Sequence, residues 1–397
     1  MKSTIPVTFF LLAAACGDDS GSGGSASSTT TGTSSSGSSM STTSTSGGTG
    51  GGGGAPVETV PYVYVGTSAD KIFVLLLDRE TGALSPVGEI DAGSNPSFLA
   101  SDPEHRYLYA VNEGSSEVAA FSIDQASGEL TFLNRVGSQG SGPAHVSVDA
   151  SGSFVLAANY GSGHVASFGI GADGSLDDSS VSVQYAGENA HLIRHDPYNG
   201  VVYVPCLGSD YVNVFALDAG TGALAALGGA ELELAAGSGP RHLELHPTLP
   251  VAYVINEIGD SIVVAERTPN GPLLELQTVP TLPGGADPDA NACADIHVTP
   301  DGRWLYGSNR GHNSLAIYAV DEATGQLTPV GHQPTGGDWP RNFAIDPAGG
   351  LVLVANQQSD EIVSFRIDPA TGLLTELTTT PTDGGPAFVG VFEQPLR

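Results

Sequence analysis

Short stretches in which apolar and polar residues alternate recur along the chain from about Val60 onward. Residues 241–246 form one such stretch, and residues 304–307 belong to another. Alternation with period two is typical of β-strands that bury one face. Turns rich in Asp, Pro and Gly separate the stretches, as at Asp102-Pro103. No long run has the helical period of 3.6 residues, so the sequence predicts an all-β protein.

The predicted strands are organised in repeats of about 46 to 54 residues, which is the size of one propeller blade. Each full unit contains four predicted antiparallel strands, and in most units a turn of the type Asp-x-x-Thr/Ser-Gly-x-Leu follows the third strand. Seven short segments open the units: Asn95-Pro96-Ser97-Phe98, Gly142-Pro143-Ala144-His145, Asn189-Ala190-His191-Leu192, Gly239-Pro240-Arg241-His242, Cys293-Ala294-Asp295, Trp339-Pro340-Arg341-Asn342 and Gly385-Pro386-Ala387-Phe388.

The two ends of this array complement each other. Six full units cover residues 95–380, residues 60–90 supply three strands without a first strand, and residues 386–392 supply one strand alone. Pairing the two ends completes a seventh blade and leaves no open sheet edge, whereas a solenoid would expose both fragments. We therefore predict that residues 57–397 form a seven-bladed β-propeller with four antiparallel strands per blade, closed by the C-terminal strand.

The first 56 residues have a different composition. Residues 1–16 combine Lys2, an apolar run and small residues before Cys16, which predicts a signal peptide too short for a permanent membrane helix. A cysteine in this position resembles a lipobox, so we expect lipidation at Cys16; an ordinary secretory signal is the alternative. Residues 17–56 are almost entirely Gly, Ser and Thr and predict a disordered tether. We expect a cell-envelope protein, at the outer membrane or the periplasmic face, that contacts the membrane only through this anchor.

Charge and cysteine content narrow the function classes. The formal net charge is −30, which argues against nucleic-acid binding because phosphate contacts need Lys and Arg. Cys206 and Cys293 lie two repeats apart and are expected to be free thiols. No Cys or His spacing typical of a metal site occurs. We expect a monomer with no metal and no cofactor.

Equivalent positions in the repeats form two predicted rings around the central channel. Because an antiparallel hairpin brings the start of one strand beside the end of the next, both rings are expected at one end of the channel. The first ring opens the first strand and contains Ser97, Ala144, His191, Arg241, Ala294 and Arg341. The second follows a repeated Asn, which is replaced by Cys206 in one unit, and contains Glu113, Tyr160, Leu207, Glu257, Arg310 and Gln357.

The two rings differ from repeat to repeat, which a purely structural constraint does not explain. Arg241, Arg310 and Arg341 converge there in a protein with few cations, and arginine binds carboxylate or phosphate through a planar fork. This pattern predicts a pocket for an anionic ligand. The alternative is that these arginines pair with carboxylates of the same region and only link neighbouring blades. The repeated Asn is expected to hold the turn after its strand.

Several of these motifs together resemble the lactonase family of seven-bladed propellers, which includes propeller-type 6-phosphogluconolactonases and carboxy-cis,cis-muconate lactonizing enzymes. The resemblance covers residues 60–392 and rests on Gly239-Pro240-Arg241-His242, Asn256-Glu257, residues 294–303, Ser308-Asn309-Arg310-Gly311-His312, Pro340-Arg341, Ala158-Asn159-Tyr160-Gly161 and Asn112-Glu113. One segment departs from the family pattern: residues 206–211 lack an Asp and an Arg that many members carry, which leaves the substrate open.

The resemblance implies a small-molecule lactone as substrate and assigns roles to individual residues. His191 or Glu257 is expected to act as general base on a water molecule, with Arg241 beside them as a catalytic residue. The family's proposed active-site residues fall on His191, Arg241, Glu257 and Arg310 of this sequence. We further expect Arg310, Arg341, Glu113 and His297 to bind the substrate. Two other functions use the same fold: a non-catalytic, surface-anchored propeller that binds carbohydrate or protein, and a muconate-type cycloisomerase.

Apart from His191, the following histidines are not expected to act as catalysts. A first group lies at turns or strand ends and is expected to be exposed: His105, His195, His246 and His332. A second group lies nearer the channel and is expected to be packed or hydrogen-bonded: His145, His242, His297 and His312.

Overall fold

The structure, a computed structural model, describes residues 59–395. The expected signal peptide, the lipidation site at Cys16 and the tether at residues 17–56 lie outside these residues. The described residues form seven antiparallel sheets, six with four strands and one with five. The two cysteines within the range, Cys206 and Cys293, are buried and free, which confirms the expected thiols.

Each blade begins with an inner strand along the central channel and ends with an outer strand. The inner strands are β4 (Pro96–Ser101), β8 (Pro143–Val148), β12 (Arg194–Asp196), β17 (Pro240–Leu245), β21 (Ala292–Val298), β25 (Pro340–Ile345) and β29 (Pro386–Pro395). The second strands are β5 (Tyr107–Asn112), β9 (Phe154–Asn159), β13 (Val201–Cys206), β18 (Val251–Asn256), β22 (Trp304–Arg310), β26 (Leu351–Asn356) and β1 (Thr59–Thr67).

The outer half of each blade is a hairpin. The third strands are β6 (Glu117–Ile123), β10 (His164–Ile170), β14 (Tyr211–Leu217), β19 (Ser261–Arg267), β23 (Ser314–Val320), β27 (Glu361–Ile367) and β2 (Lys71–Leu77). The fourth strands are β7 (Leu130–Gly137), β11 (Leu176–Tyr185), β15 (Leu224–Ala226) with β16 (Leu232–Glu233), β20 (Leu273–Pro280), β24 (Leu327–Pro334), β28 (Leu374–Pro381) and β3 (Leu84–Asp91). Two 3₁₀ turns cover Leu207–Ser209 and Pro288–Ala290.

The ring closes as the sequence predicts. The last strand, β29, pairs with β1 in antiparallel register, with Val391 opposite Val63, and the resulting sheet has the order β29-β1-β2-β3. The pairing extends from Thr59, opposite Pro395, to Thr67. The N- and C-terminal strands therefore share one blade, and the closing strand is longer than the predicted residues 386–392.

Neighbouring blades are joined by a repeated tyrosine contact. The Tyr64 hydroxyl on β1 donates to the carbonyl of Gly128, in the turn after the third strand of the next blade, at 2.8 Å. The same contact recurs from Tyr109, Tyr203, Tyr253 and Tyr306 to a turn glycine one blade on. These tyrosines are fully buried. A buried hydroxyl that keeps a partner stabilises the fold by about 1 kcal/mol.

The repeated Asn has a second partner besides the one expected. In three blades its side-chain amide bonds across the turn after its own strand, from Asn159, Asn256 and Asn309 to His164, Ser261 and Ser314. In most blades it donates to the segment that enters the blade, as from Asn112 to the Ala92 carbonyl at 2.9 Å. Asn159, Asn309 and Asn356 do the same. The side chain therefore anchors the link between successive blades.

The blade of β12 to β16, which we call blade 4 because it is the fourth counted from the closing blade, is less regular than the others. Its inner strand has three residues, its outer strand is split, and Cys206 stands where the Asn is expected. Asn213, on the third strand, supplies the missing amide and donates to the Ala186 carbonyl at 2.7 Å.

The histidines near the turns are more buried than the sequence predicts. Of the four histidines that we expected to be exposed, His246 is buried and His105, His195 and His332 are half-buried. The exposure prediction is wrong for all four, because each ring packs close enough to bond through a nitrogen to a nearby group. Among residues 59–395, no helix has the length and apolar character that crossing a membrane requires.

Candidate functional site

The first residue ring points into one end of the channel because of a repeated β-bulge. In six blades the register of the inner strand slips where this residue stands, as between Pro240 and His242. A bulge leaves one residue unpaired and changes the direction of its side chain. Arg241 therefore lies at the start of the inner strands, an end of the channel that we call the mouth, while His242 points into the channel, where its ring meets those of Phe98 and His145.

Glu257 lies at the mouth between two arginines. Its Oε2 is 3.0 Å from Nε of Arg241 and 2.9 Å from Nη2 of Arg310. Arg241 is almost completely buried, with 2 % of its side chain exposed, whereas Glu257 keeps 24 %. Burial alone would raise the pKa of the Glu257 carboxyl, but the charges of Arg310 and Arg241 outweigh it and hold the pKa below its usual range. The carboxylate is therefore ionised at neutral pH.

The arginines are also fixed by backbone carbonyls. Arg241 donates through Nη1 to the Ala294 carbonyl at 2.6 Å. Arg310 donates to the carbonyls of Ala292 and Cys293 at 3.1 and 2.9 Å, and its guanidinium lies 5.3 Å from the ring centre of Trp339. Such contacts orient the charged groups without neutralising them.

Arg341 and Glu113 form a looser pair across the mouth. Their closest N–O distance is 3.9 Å, and 22 % of the Arg341 side chain is exposed. Burial lowers the pKa of Arg341 and the Glu113 carboxylate opposes that shift. With Arg241 and Arg310, three guanidinium groups face the two carboxylates Glu257 and Glu113. The mouth thus carries an excess positive charge in a protein whose net charge is −30.

His191 lies in the same region but does not form an ion pair. Its ring centre is 5.5 Å from that of Tyr160 and 5.1 Å from that of His242, in both cases edge to face. Its Nδ1 is buried and has no hydrogen-bond partner among residues 59–395. Burial, followed by the charge of Arg241, lowers the pKa of His191 well below its usual range. The ring is therefore neutral at neutral pH.

A layer of seven side chains crosses the channel just below the mouth, one residue after the first ring. We call this layer the floor; its members are Phe98, His145, Leu192, His242, Asp295, Asn342 and Phe388. Within it, Nδ1 of His242 is 2.7 Å from Oδ1 of Asp295. Burial and the charge of Arg241 lower the pKa of His242 to about 4.

The hydrogen bond to Asp295 determines which ring nitrogen of His242 can accept a hydrogen bond from a residue of the mouth. A neutral imidazole that donates Nδ1–H to Asp295 has its lone pair on Nε2. That atom is 3.2 Å from Nη1 of Arg241 and accepts from it. Asp295 also accepts from Asn342 and from the Phe343 amide. The floor therefore positions Arg241 through His242.

His297, a predicted substrate-binding residue, lies below the floor and makes no contact with the Arg241–Glu257–Arg310 cluster. Its two ring nitrogens are each 3.1 Å from a carboxylate oxygen, one of Glu244 and one of Asp295. Burial would lower the pKa of His297, but these carboxylates, Asp295 first, raise it to about 10. His297 is therefore protonated at neutral pH.

Sequence reasoning found the residues of the mouth but missed the function of the floor. His242 was expected only as a support, and Asp295 only as a possible arginine partner. Their positions directly after the first ring gave no signal, because strict alternation would turn them away from the channel; the bulge reverses that expectation. No group of three or more His, Cys, Asp or Glu side chains in the described chain is arranged to hold a metal ion.

Comparison with known proteins places the chain in a family. A family model for lactonases, described as seven-bladed β-propellers, matches residues 62–391. The 6-phosphogluconolactonase of Bacillus subtilis is 36 % identical over 316 residues, which cover 75 % of this chain and 89 % of that protein. The 6-phosphogluconolactonase of Formosa agariphila is 33 % identical over 322 residues, covering 76 % and 90 % respectively.

A solved structure agrees with these relatives. The periplasmic gluconolactonase of Pseudomonas aeruginosa superposes with a TM-score of 0.78 at 31 % identity, over 85 % of this chain and all of the other. The match to the family model spans the whole ring of blades, including the closing strand. The chain therefore belongs to the lactonase family of seven-bladed β-propellers.

Proposed function

We propose that this protein is a lactone hydrolase of the 6-phosphogluconolactonase type that opens a small anionic or sugar lactone at the mouth of the channel. The observation that carries the proposal is the ionised Glu257 held between Arg241 and Arg310, with the neutral His191 in the same pocket. The names of the relatives from Bacillus subtilis and Pseudomonas aeruginosa support lactone hydrolysis.

The reaction needs a base and a cationic environment. Glu257 or His191 takes a proton from water while the water oxygen bonds to the lactone carbonyl carbon. The carbonyl oxygen becomes an oxyanion, which the arginines stabilise, and the ring C–O bond then breaks. The ring oxygen receives the proton and the product is a hydroxy acid. No redox partner is required.

The arginines have unequal freedom to meet a substrate. Arg241 and Arg310 are committed to Glu257 and to backbone carbonyls. Arg341 is more exposed and has only the distant Glu113 as a partner. We assign Arg341, with Arg310, to an anionic group of the substrate, and Glu113 to a hydroxyl group, because a carboxylate accepts hydrogen bonds.

The cellular location of the protein limits which lactones it can meet. Lipidation at Cys16 and attachment to the cell envelope form part of this proposal, and the periplasmic relative supports a site outside the cytoplasm. We therefore favour non-phosphorylated sugar lactones or other small acidic lactones; the acidic ones offer an anionic group to Arg341. Metabolic labelling with a fatty acid, compared between the wild type and Cys16→Ser, tests the anchor: the label should be lost in the variant.

The activity is tested on residues 57–397, which contain every strand of the closed ring. Gluconolactone and its 6-phosphate are incubated with the protein, and the released acid is measured against spontaneous hydrolysis. We expect hydrolysis that falls by about 100-fold or more in His191→Ala or Glu257→Ala. Unchanged activity in both variants would refute the site assignment, and no activity on any lactone would refute the function.

One observation favours a second function. Each arginine at the mouth has a carboxylate within 4 Å, as expected if the charges only link blades in a non-catalytic propeller that binds carbohydrate or protein. The lactone assay separates the two. A muconate-type cycloisomerase would use the same residues, and analysis of the product distinguishes it from a hydrolase.

A further inference from the structure

A cavity lies on the other side of the floor from the mouth. Its volume is about 480 Å³, within the range of small-molecule sites. None of the first-ring residues lines it. Exposed residues such as Ala150 and Pro197 lie at its far end, so it opens to solvent on the side opposite the mouth.

The cavity exists because, in one ring of channel-facing residues, four adjacent blades supply small side chains. We call this the lower ring; it lies two residues below the floor and contains Ala100, Ser147, Arg194, Glu244, His297, Ala344 and Gly390. Four adjacent blades supply Ala344, Gly390, Ala100 and Ser147. At Gly390 a Cβ atom would approach the Phe388 ring to 2.8 Å. The other three blades supply charged side chains, so the lower ring is open on one side and polar on the other.

The carboxylates of this polar side are already occupied. Glu244 and Asp295 each accept from a ring nitrogen of the protonated His297, and Asp295 also bonds to His242. Neither nitrogen of His297 is left for a ligand. The two carboxylates that line the cavity therefore share the positive charge of His297 and already have hydrogen-bond partners.

Arg194 is the charged group with donors to spare. It approaches Glu244 only at 3.7 Å, which is too long for a hydrogen bond, and 44 % of its side chain is exposed. A guanidinium carries five N–H donors in a fork that matches a carboxylate. The cavity thus presents one available cation for a planar anion.

The rest of the wall is aromatic and aliphatic. The rings of Phe98 and Phe388 lie 4.8 Å apart on the floor, and Phe392 lies further along the same strand as Phe388. A polyhydroxylated sugar would leave hydroxyl groups without partners against this surface, which is costly. A ligand with a flat apolar ring would pack against this wall without leaving polar groups unpaired.

We propose that this cavity is a second binding site, separate from the mouth, for a small carboxylic acid with a flat apolar body. Its carboxylate pairs with the Arg194 guanidinium and its ring packs against Phe98, Phe388 and Phe392. The site uses none of the first-ring residues of the mouth, and the floor separates the two.

Calorimetric titration of residues 57–397 with benzoate tests the proposal, and benzamide serves as a neutral probe of the same shape. We expect saturable benzoate binding with a Kd of about 1 mM or below and clearly weaker benzamide binding. Arg194→Gln should weaken benzoate binding about tenfold or more, and Ala100→Leu should weaken both probes by filling the cavity.

Two control variants test whether benzoate binds at an arginine other than Arg194. Arg135→Gln, on an outer strand, and Arg341→Gln, at the mouth, should each leave the benzoate affinity unchanged. The proposal is overturned if benzoate does not saturate, if Arg194→Gln binds it like the wild type, or if Arg341→Gln rather than Arg194→Gln abolishes binding. Thermal unfolding of each variant checks that the ring is intact.

Discussion

The mouth and the lower ring are built on the same inner strands but carry opposite arrangements of charge. At the mouth, one carboxylate, Glu257, is shared by two guanidinium groups and stays partly exposed. Farther along the channel, the floor carboxylate Asp295 and the lower-ring carboxylate Glu244 share one protonated imidazole, His297. Cations thus outnumber carboxylates at the mouth, whereas two carboxylates share one imidazolium around His297. A single repeat unit can therefore supply two different environments when a bulge changes the direction of one residue per blade.

The largest expected effect is at Arg241. Arg241→Gln removes a cation from Glu257 and from the developing oxyanion, so kcat/KM for a sugar lactone should fall about 100-fold. Arg135→Gln, on the outer strand β7, is the matched control and should stay within about twofold of the wild type. Equal activity of the two variants would show that the charge of the mouth does not serve catalysis.

Substitution of a floor residue should reduce activity less than substitution of Arg241, because the floor acts through Arg241. In His242→Phe the acceptor for Nη1 of Arg241 is lost, and we expect a decrease in kcat of about tenfold with a smaller change in KM. His332→Gln, outside the channel, is the control. If KM and kcat of His242→Phe both match the wild type, His242 does not position the arginine.

Arg341 should affect binding rather than chemistry. We expect Arg341→Gln to raise KM about fivefold for a lactone with an anionic group and to leave KM for a neutral lactone nearly unchanged. Measurement of both substrates with both proteins gives the comparison. An equal rise for the neutral substrate would contradict the assignment of Arg341 to an anionic group.

The pH dependence follows from the two lowered pKa values. Because the pKa values of Glu257 and His191 both lie below their usual ranges, either base is already deprotonated at neutral pH. Activity corrected for spontaneous hydrolysis should therefore stay level from pH 8 to about pH 5 and fall only in more acidic solution. A loss of activity centred near pH 6.5 would indicate an ordinary histidine as the base.

The smallest expected effect is on the free energy of unfolding, through the proton held by His297 in the lower ring. The folded-state pKa of His297, about 10, lies above its ordinary value of 6.5, so the folded state holds this proton more tightly than the unfolded chain. Its contribution to stability is complete below about pH 6.5 and is lost as the pH rises towards 10. Urea unfolding at pH 7 and pH 10 should show a smaller loss of stability in His297→Gln than in the wild type.

The fold could be predicted almost completely from the sequence, because every blade repeats the same local rules. The residue before most inner strands, such as Gly239 or Asn95, has φ between +55° and +65°, which explains the glycine or asparagine there. The closing strand followed from counting strands. Blade 4 is the exception, since Cys206 and a split outer strand break the pattern.

The candidate site could be predicted only in part. Arg241, Glu257 and Arg310 were expected together because hairpin geometry fixes their positions, and the structure places them in contact. The bulge could not be inferred, since it depends on the pairing of two strands rather than on residue type. For that reason the floor was missed, and His297 was expected nearer the arginines than it lies.

The most direct test of the central claim is a crystal structure of residues 57–397 with a sugar lactam, a ring analogue that resists hydrolysis. The lactam should lie at the mouth, with its carbonyl oxygen among the arginines and its ring near Glu257 and His191. Density for the lactam only below the floor, beside Arg194, would contradict the claim that lactones are opened at the mouth.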